Sequence, residues 1–145
     1  MAVGLELKLA SVAIGARSAV VEVVVSNTGV GHSAPGGLST KSLVLAVGID
    51  AGGPELVNRR QRVYRREMRD AQGRTLSSAA DMFLKAASVG EDTRLRQKES
   101  RTERFTVPLP EGWKAVVARL EYHDASDPAA PTTRLVTEQR RERGR

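Results

Sequence analysis

The chain has no cysteine, only two histidines and few aromatic residues, and each shortage excludes a class of function. Without cysteine it forms no disulfide, no thiolate metal site and no nucleophilic thiol. Aromatic side chains make up 3% of the residues, which argues against a surface on which nucleic-acid bases stack. What remains open is a domain whose function depends on neither sulfur chemistry nor base stacking.

Long apolar runs and catalytic motifs are also missing. No stretch approaches the roughly 20 apolar residues that a transmembrane helix needs. The first residues do not follow the signal-peptide pattern, because Glu6 interrupts the apolar run and the first basic residue is Lys8. There is no Gly-x-Ser-x-Gly elbow, no His-Glu-x-x-His and no phosphate-binding glycine loop. We therefore expect no membrane span and no enzymatic activity.

Alternating, β-branched segments are abundant and predict the fold. Residues 18–26, SAVVEVVVS, are the strongest strand, and turn signals such as AGGP and PLPEG separate it from the others. About seven strands favour an all-β, antiparallel, immunoglobulin-like β-sandwich. Residues 78–87 fit either a short helix or an irregular loop. We expect one domain over residues 1–138 and a charged tail over 139–145. The other predicted strands are 5–9, 42–50, 62–70 (strand or helix), 100–107, 114–123 and 132–138.

A glycine-rich loop follows strand 18–26 and contains one of the two histidines. In residues 25–37, VSNTGVGHSAPGG, glycine supplies backbone angles that other residues avoid, and proline fixes its own. The loop is therefore predicted to hold one shape and to present His32. From the residues alone, His32 is either a turn histidine bonded to local backbone or a ligand to a metal or haem iron. A single histidine does not make a zinc site, so any metal would need ligands from elsewhere.

The second histidine, His123, lies near a strand end beside Asp124 and Asp127. The simpler interpretation is an exposed strand-end histidine. The alternative is a metal site that His123 shares with His32, and the sequence leaves the distance between the two open.

The net charge of +6 is concentrated in the middle of the chain, where residues 51–110 hold 13 basic and 8 acidic residues. Most of the excess lies in residues 58–74, NRRQRVYRREMRDAQGR. A solvated strand edge, whose charges block unwanted pairing, is the simpler interpretation. The alternative is contact with an acidic protein, a phosphate-bearing polymer or haem propionates. The candidate basic interaction patch comprises Arg59, Arg60, Arg62, Arg65, Arg66 and Arg69.

The histidine loop carries a resemblance to a known family. Residues 27–37, NTGVGHSAPGG, resemble the Asn-x-Gly-Ala-Gly-His-x-hydrophobic-Pro-Thr-Gly segment of many multihaem c-type cytochromes, where it occurs in a β-rich region accompanying the haem-binding part. The order of later features is similar, so the resemblance spans residues 18–123. These features are strand 42–50, the turn DAQG at 70–73, Asp92-Thr93, Glu99, FTVP at 105–108 and LEY at 120–122.

The resemblance implies that His32 is a distal ligand to a haem iron and that its neighbours shape the loop. It also implies a location outside the cytoplasm, in the periplasm, at the cell surface or in the medium. The chain departs from the family pattern, since it lacks the Cys-x-x-Cys-His attachment site and has Ala34 and Gly36 where a larger apolar residue and a threonine are usual. The implied loop-shaping residues are Asn27, Gly29, Gly31, Pro35 and Gly37.

Three functions are compatible with these features. The first is a haem-free structural module of an extracellular or surface assembly, such as a filament, formed by self-assembly or β-addition. The second is an electron-transfer accessory module that offers His32 to a haem of a partner multihaem cytochrome. The third, a nucleic-acid or polyanion binder, rests on the arginines alone and is disfavoured. The missing cysteines and the small residues at positions 34 and 36 favour the first over the second, and no covalently bound cofactor is expected.

Overall fold

The computed structural model describes residues 4–29, 33–36, 40–76, 82, 86, 88–127 and 129–144. Its named elements are all β-strands, and every strand pairing is antiparallel. No helix among the described residues has the length and apolarity to cross a membrane. The strands are β1 (Leu5–Ile14), β2 (Ser18–Asn27), β3 (Lys41–Asp50), β4 (Val57–Tyr64), β5 (Arg66–Arg69), β6 (Ser88–Asp92), β7 (Ser100–Pro108), β8 (Ala115–Asp124) and β9 (Thr132–Glu142).

Two sheets form the sandwich. One has the strand order β1-β2-β7 and the other has the order β4-β3-β8-β9. Across the sandwich β1 lies against β9 and β8, and β7 lies against β4 and β3. The predicted all-β, antiparallel, immunoglobulin-like sandwich is therefore confirmed. A third, small sheet pairs β5 with β6 and extends from the end of β4.

The core lies between the inner faces of the two large sheets. The alternation in β2 places Val21, Val23 and Val25 inward, and all three are fully buried. In β8, Val116, Ala118 and Leu120 share the inner face and belong to the core. Beside β8 in the same sheet, β3 contributes Leu43, Leu45, Val47 and Ile49. Apolar burial of this extent is the main force that closes such a sandwich.

A β-bulge divides β1. Leu9 pairs with Val23 but Ser11 pairs with Glu22, so Ala10 is an extra residue on this strand. The bulge exchanges the faces of the strand, and Val12 and Ile14 point inward in the second half as Leu9 does in the first. The sequence prediction ended this strand at residue 9 because the odd-numbered apolar pattern stops there.

Three boundaries differ from the sequence prediction. Strand β4 begins at Val57, five residues before the predicted start at 62. The sequence did not reveal these residues, because seven of the eight residues of β4 are exposed and an edge strand shows no alternating buried face. The predicted segment 62–70 contains the end of β4 and a separate strand, β5, which pairs with β6 and makes a single bridge from Arg69 to Thr75. Strand β9 continues to Glu142, past the predicted start of the tail at 139, because it pairs with β8 throughout. The helix considered for 78–87 falls almost entirely outside the described residues.

Gly48 lies where the pairing of β3 with β4 becomes irregular. A Cβ atom at this position would lie 2.9 Å from Leu56 Cβ and 3.3 Å from the Val57 carbonyl oxygen. The glycine therefore lets the β3–β4 connection fold closely over the sheet.

We expect Gly48→Ala to destabilise the fold by about 1–3 kcal/mol, because the added methyl group forces the β3–β4 connection outward. Gly53→Ala is the matched control in the same connection, since a Cβ there meets nothing within 4 Å. Urea unfolding of both variants measures the difference. Equal stability of the two variants would contradict the close packing of Leu56 on β3.

Candidate functional site

Both ends of the histidine loop are tied to the same residue. The Asn27 side chain is fully buried, and its Nδ2 donates to the Leu95 carbonyl oxygen at 3.1 Å. Seven residues further on, the backbone of Ala34 exchanges two hydrogen bonds with Leu95, at 2.7 and 2.8 Å. His32 lies in sequence between these two anchors. Asn27, which the resemblance implies as a loop-shaping residue, thus bonds through its side chain to a distant part of the chain.

The described loop residues pack closely on the protein. An added Cβ at Gly29 would lie 2.8 Å from Gly4 Cα, so the backbone approach requires glycine. Pro35 is buried and follows a cis peptide bond, and Ala34 is 3% exposed and belongs to the core. The small side chain at position 34 thus fits a place in the core. Gly31, His32 and Gly37 lie outside the described residues.

The segment that receives the loop is held by Arg101. Its guanidinium donates to the carbonyl oxygens of Thr93 and Arg94, and its Nε donates to Glu99 Oε2 at 2.7 Å. The backbone N–H of Asn27 donates to the Glu99 carbonyl oxygen at 2.9 Å. One arginine therefore fixes the segment on which both ends of the histidine loop rest. Sequence reasoning missed Leu95 and Arg101, although Leu95 is the lone apolar residue in the charged run TRLRQKE.

A buried tyrosine connects this segment to the two sheets. The hydroxyl of Tyr64, at the end of β4, donates to Glu103 Oε2 on β7 at 2.7 Å. Burial and the neighbouring Glu103 carboxylate both raise the pKa of Tyr64, so the hydroxyl stays protonated. Arg101 lies over the tyrosine ring, 5.4 Å from its centroid. Arg101 thus contacts both the segment that receives the histidine loop and the buried Tyr64.

Several other polar residues in the family-like pattern hold turns. Asp70 is almost buried and accepts the amides of Gln72 and Arg74 at 3.0 and 2.9 Å. Thr93 accepts the Arg65 amide at 3.0 Å and so joins β4 to the end of β6. A structural role therefore accounts for these positions.

The six arginines of the candidate patch do not share one surface. Arg59 reaches Glu121 on the outer face of the four-stranded sheet, with Nη2 2.7 Å from Oε1. Arg62 turns to the other sheet, 3.6 Å from Glu103 and over the ring of Phe105. Arg65 and Arg69 both pair with Glu67, at 3.3 and 3.2 Å, and Arg60 is exposed on β4. The remaining member, Arg66, begins β5 and is half-buried. Much of the positive charge in this segment is therefore compensated within the molecule.

The ion pair between Arg59 and Glu121 passes over a strand. Arg59 lies on β4 and Glu121 on β8, and β3 runs between them. Arg59 contacts both carboxylate oxygens, and His123 Nε2 lies 3.0 Å from the same carboxylate. The Arg59 guanidinium is the main reason that the pKa of Glu121 is lowered. Among the described residues no three potential ligands lie together as a metal site. Because His32 lies outside the described residues, its distance from His123 stays open.

One solved structure resembles nearly the whole chain. It is the penta-heme cytochrome c552 from Thermochromatium tepidum, which matches 97% of this chain with a TM-score of 0.70 and 19% sequence identity. The match covers 40% of that protein, so the chain spans less than half of the cytochrome's length. No protein-family model matches the chain, and no curated protein matches it. At this identity the likeness establishes a shared fold.

The chain lacks the attachment site of a covalently bound haem. No cysteine is present to form the covalent attachment of a c-type haem. The anchors of the histidine loop, Asn27, Ala34 and Leu95, are buried in the protein itself.

We expect Asn27→Ala to destabilise the protein by about 1–3 kcal/mol, because it removes a buried hydrogen bond and leaves a void. The neighbouring Thr28→Ala is the control, since the Thr28 hydroxyl is exposed and lies 3.4 Å from its acceptor. That change should cost less than about 0.5 kcal/mol in urea unfolding. Similar losses in both variants would show that the Leu95 tie is unimportant.

The Arg59 pair predicts a pH-dependent stability. Because the pKa of Glu121 is lower in the folded protein, its contribution is present above the ordinary value of 4.5 and is lost as the pH falls through the lowered value. Arg59→Gln should therefore be less stable than the unaltered protein at neutral pH, and the difference should shrink on acidification below about 4. Arg60→Gln, on the same strand, should show no such convergence. Unfolding curves between neutral and acid pH measure both.

Proposed function

We propose that this chain is a non-enzymatic structural module of a multihaem cytochrome system, without a covalently bound haem of its own. The likeness of 97% of the chain to 40% of a penta-heme cytochrome is the observation that carries the proposal. The histidine loop with its family-like sequence adds support, as does the lack of cysteine. By the same resemblance, the module works outside the cytoplasm as a subunit of a surface or extracellular assembly.

The charges on the outer strands of the four-stranded sheet indicate which surfaces suit assembly. Strands β4 and β9 are the outer strands of the four-stranded sheet, and both carry several arginines. Charged edges oppose the addition of an identical strand. Contacts through loops at the ends of the sandwich therefore suit the module better than edge-to-edge pairing at these two strands.

A second candidate function is favoured by the tie of both loop ends to Leu95. Anchors on either side of His32 lower the entropic cost of presenting its imidazole to a partner. In this function, His32 binds the iron of a haem that another polypeptide carries. Haem would supply the redox chemistry, and this chain would supply one axial ligand and a contact surface.

Purification from the native host under mild conditions tests the proposal. The visible absorption spectrum reports bound haem, and light scattering reports mass. A colourless species of high mass is expected for a structural assembly module. A colourless monomer at high concentration, with no co-purifying protein, would contradict both functions.

Histidine variants separate the two candidates. If His32 binds a partner's haem, a Soret band should co-purify with the chain, and His32→Ala should shift or abolish it. His123→Ala is the matched control, because His123 is the chain's other histidine and its ring contacts Glu121. If neither variant alters the spectrum or the assembly, His32 is not a haem ligand.

A further inference from the structure

A cleft opens at the end of the sandwich far from the histidine loop. It has a volume of about 460 Å³ and lies between the end of β1 and the end of β9. Its apolar lining comes from Val12, Ile14, Leu109 and Trp113, the only tryptophan of the chain. A second cavity of about 290 Å³ adjoins it and shares Leu109 and Trp113. We call the two together the Trp113 cleft; the larger cavity alone has the size of ordinary ligand sites.

The bulge in β1 explains why apolar side chains line the cleft. It turns Val12 and Ile14 to the inner side of the sandwich, where Val12 packs against the core. Ile14 is directed to the same side but remains 51% exposed, because the opposite sheet does not cover it. Ile14 therefore leaves exposed apolar surface beside the core, where another apolar side chain can pack.

The rim of the cleft is positively charged. Arg143 lies over Trp113, 5.1 Å from the ring centroid, and its Nη1 donates to the Trp113 carbonyl oxygen. Arg141 also lines the cleft, is exposed, and has no carboxylate partner in the described part of the chain. Two carboxylates lie at the rim: Glu142, which Arg140 engages at 2.9 Å, and Glu111, which lines the smaller cavity. Two arginine charges therefore remain available beside apolar surface.

The backbone at this site is also available. Among the described strands, β1 pairs with β2 alone and β9 with β8 alone, while the Gln139 side chain of β9 accepts a hydrogen bond from the Leu9 amide of β1 at 2.7 Å. The residues of β1 that border the cleft, Ser11–Ile14, carry no charge that would repel another strand. An extended segment can thus reach free backbone groups, apolar side chains and two guanidinium groups in one place.

We propose that the Trp113 cleft binds an extended, acidic segment of a partner polypeptide, with an apolar side chain on Ile14 and Trp113 and carboxylates on Arg141 and Arg143. Charge complementarity favours this occupant, because arginine guanidinium groups pair with carboxylates. The apolar side chains that line the cleft favour a ligand that also has an apolar side chain over a purely ionic one. The proposal does not depend on haem or on the histidine loop. It therefore stands or falls independently of the function proposed above.

Trp113 fluorescence tests the cleft directly, and calorimetry supplies a second measurement. The probe is a capped octapeptide of alternating glutamate and valine, titrated into the full chain. The comparison peptides alternate lysine with valine or glutamate with serine. Saturable binding of the glutamate–valine peptide alone is expected. A lack of saturation below about 1 mM, or equal binding of the glutamate–serine peptide, would overturn the proposal, the latter indicating a general polyanion surface.

Paired variants locate the binding. Arg143→Gln is matched by Arg134→Gln, since Arg134 likewise lies over an aromatic ring at the other end of β9, 5.4 Å from the Tyr122 centroid. Ile14→Ser is matched by Leu135→Ser, because the two side chains are 51% and 52% exposed. The cleft variants should weaken calorimetric binding by about tenfold, and the matched variants should leave it unchanged. Equal effects of both members of either pair would place the peptide elsewhere and refute the proposal.

Discussion

Leu95 joins two parts of the chain that lie 68 positions apart, because its carbonyl oxygen accepts hydrogen bonds from both the Asn27 side chain and the Ala34 amide. A glycine-rich loop has much conformational freedom to lose, and two anchors on a rigid segment limit that freedom before any partner arrives. The segment is itself rigid because Arg101 binds the Thr93 and Arg94 carbonyl oxygens and contacts Tyr64. The described ends of the histidine loop, Asn27 and Ala34, are therefore held in place by the sandwich.

Charged side chains in this protein act largely inside the molecule. Arg59 crosses β3 to Glu121, Arg62 joins the two sheets through Glu103, and Arg101 holds a segment without regular structure. Each guanidinium has several donors in one plane, so it can bind a carboxylate and backbone oxygens together, as lysine cannot. The preference for arginine over lysine in this chain is thus explained by packing before any partner is considered.

Burial periodicity made the sandwich predictable, and its absence set the limits of prediction. Strands β2, β3 and β8 have an alternating or continuous buried face, and the sequence displayed it. Strand β4 and the last residues of β9 are exposed at the two edges of their sheet, so their sequences show no alternation of apolar and polar residues that would mark a strand. The family resemblance named Asn27 as a loop-shaping residue. The role of Leu95 was not predicted, because a contact between distant segments leaves no mark in local sequence. In β1, the move of apolar residues from odd to even positions after Leu9 was a readable sign of the bulge.

The ten residues of β2 separate the histidine loop, which follows Asn27, from the Trp113 cleft, which lies beside the turn before Ser18. At about 3.3 Å per residue this strand is about 30 Å long, so the two ends of the domain cannot touch the same small partner. Unlike surfaces at opposite ends give a subunit a direction. Subunits that join head to tail through such surfaces build rings when the rotation closes and open fibres when it does not. The rotation between successive subunits, rather than the chemistry of either end, would then decide the shape of the assembly.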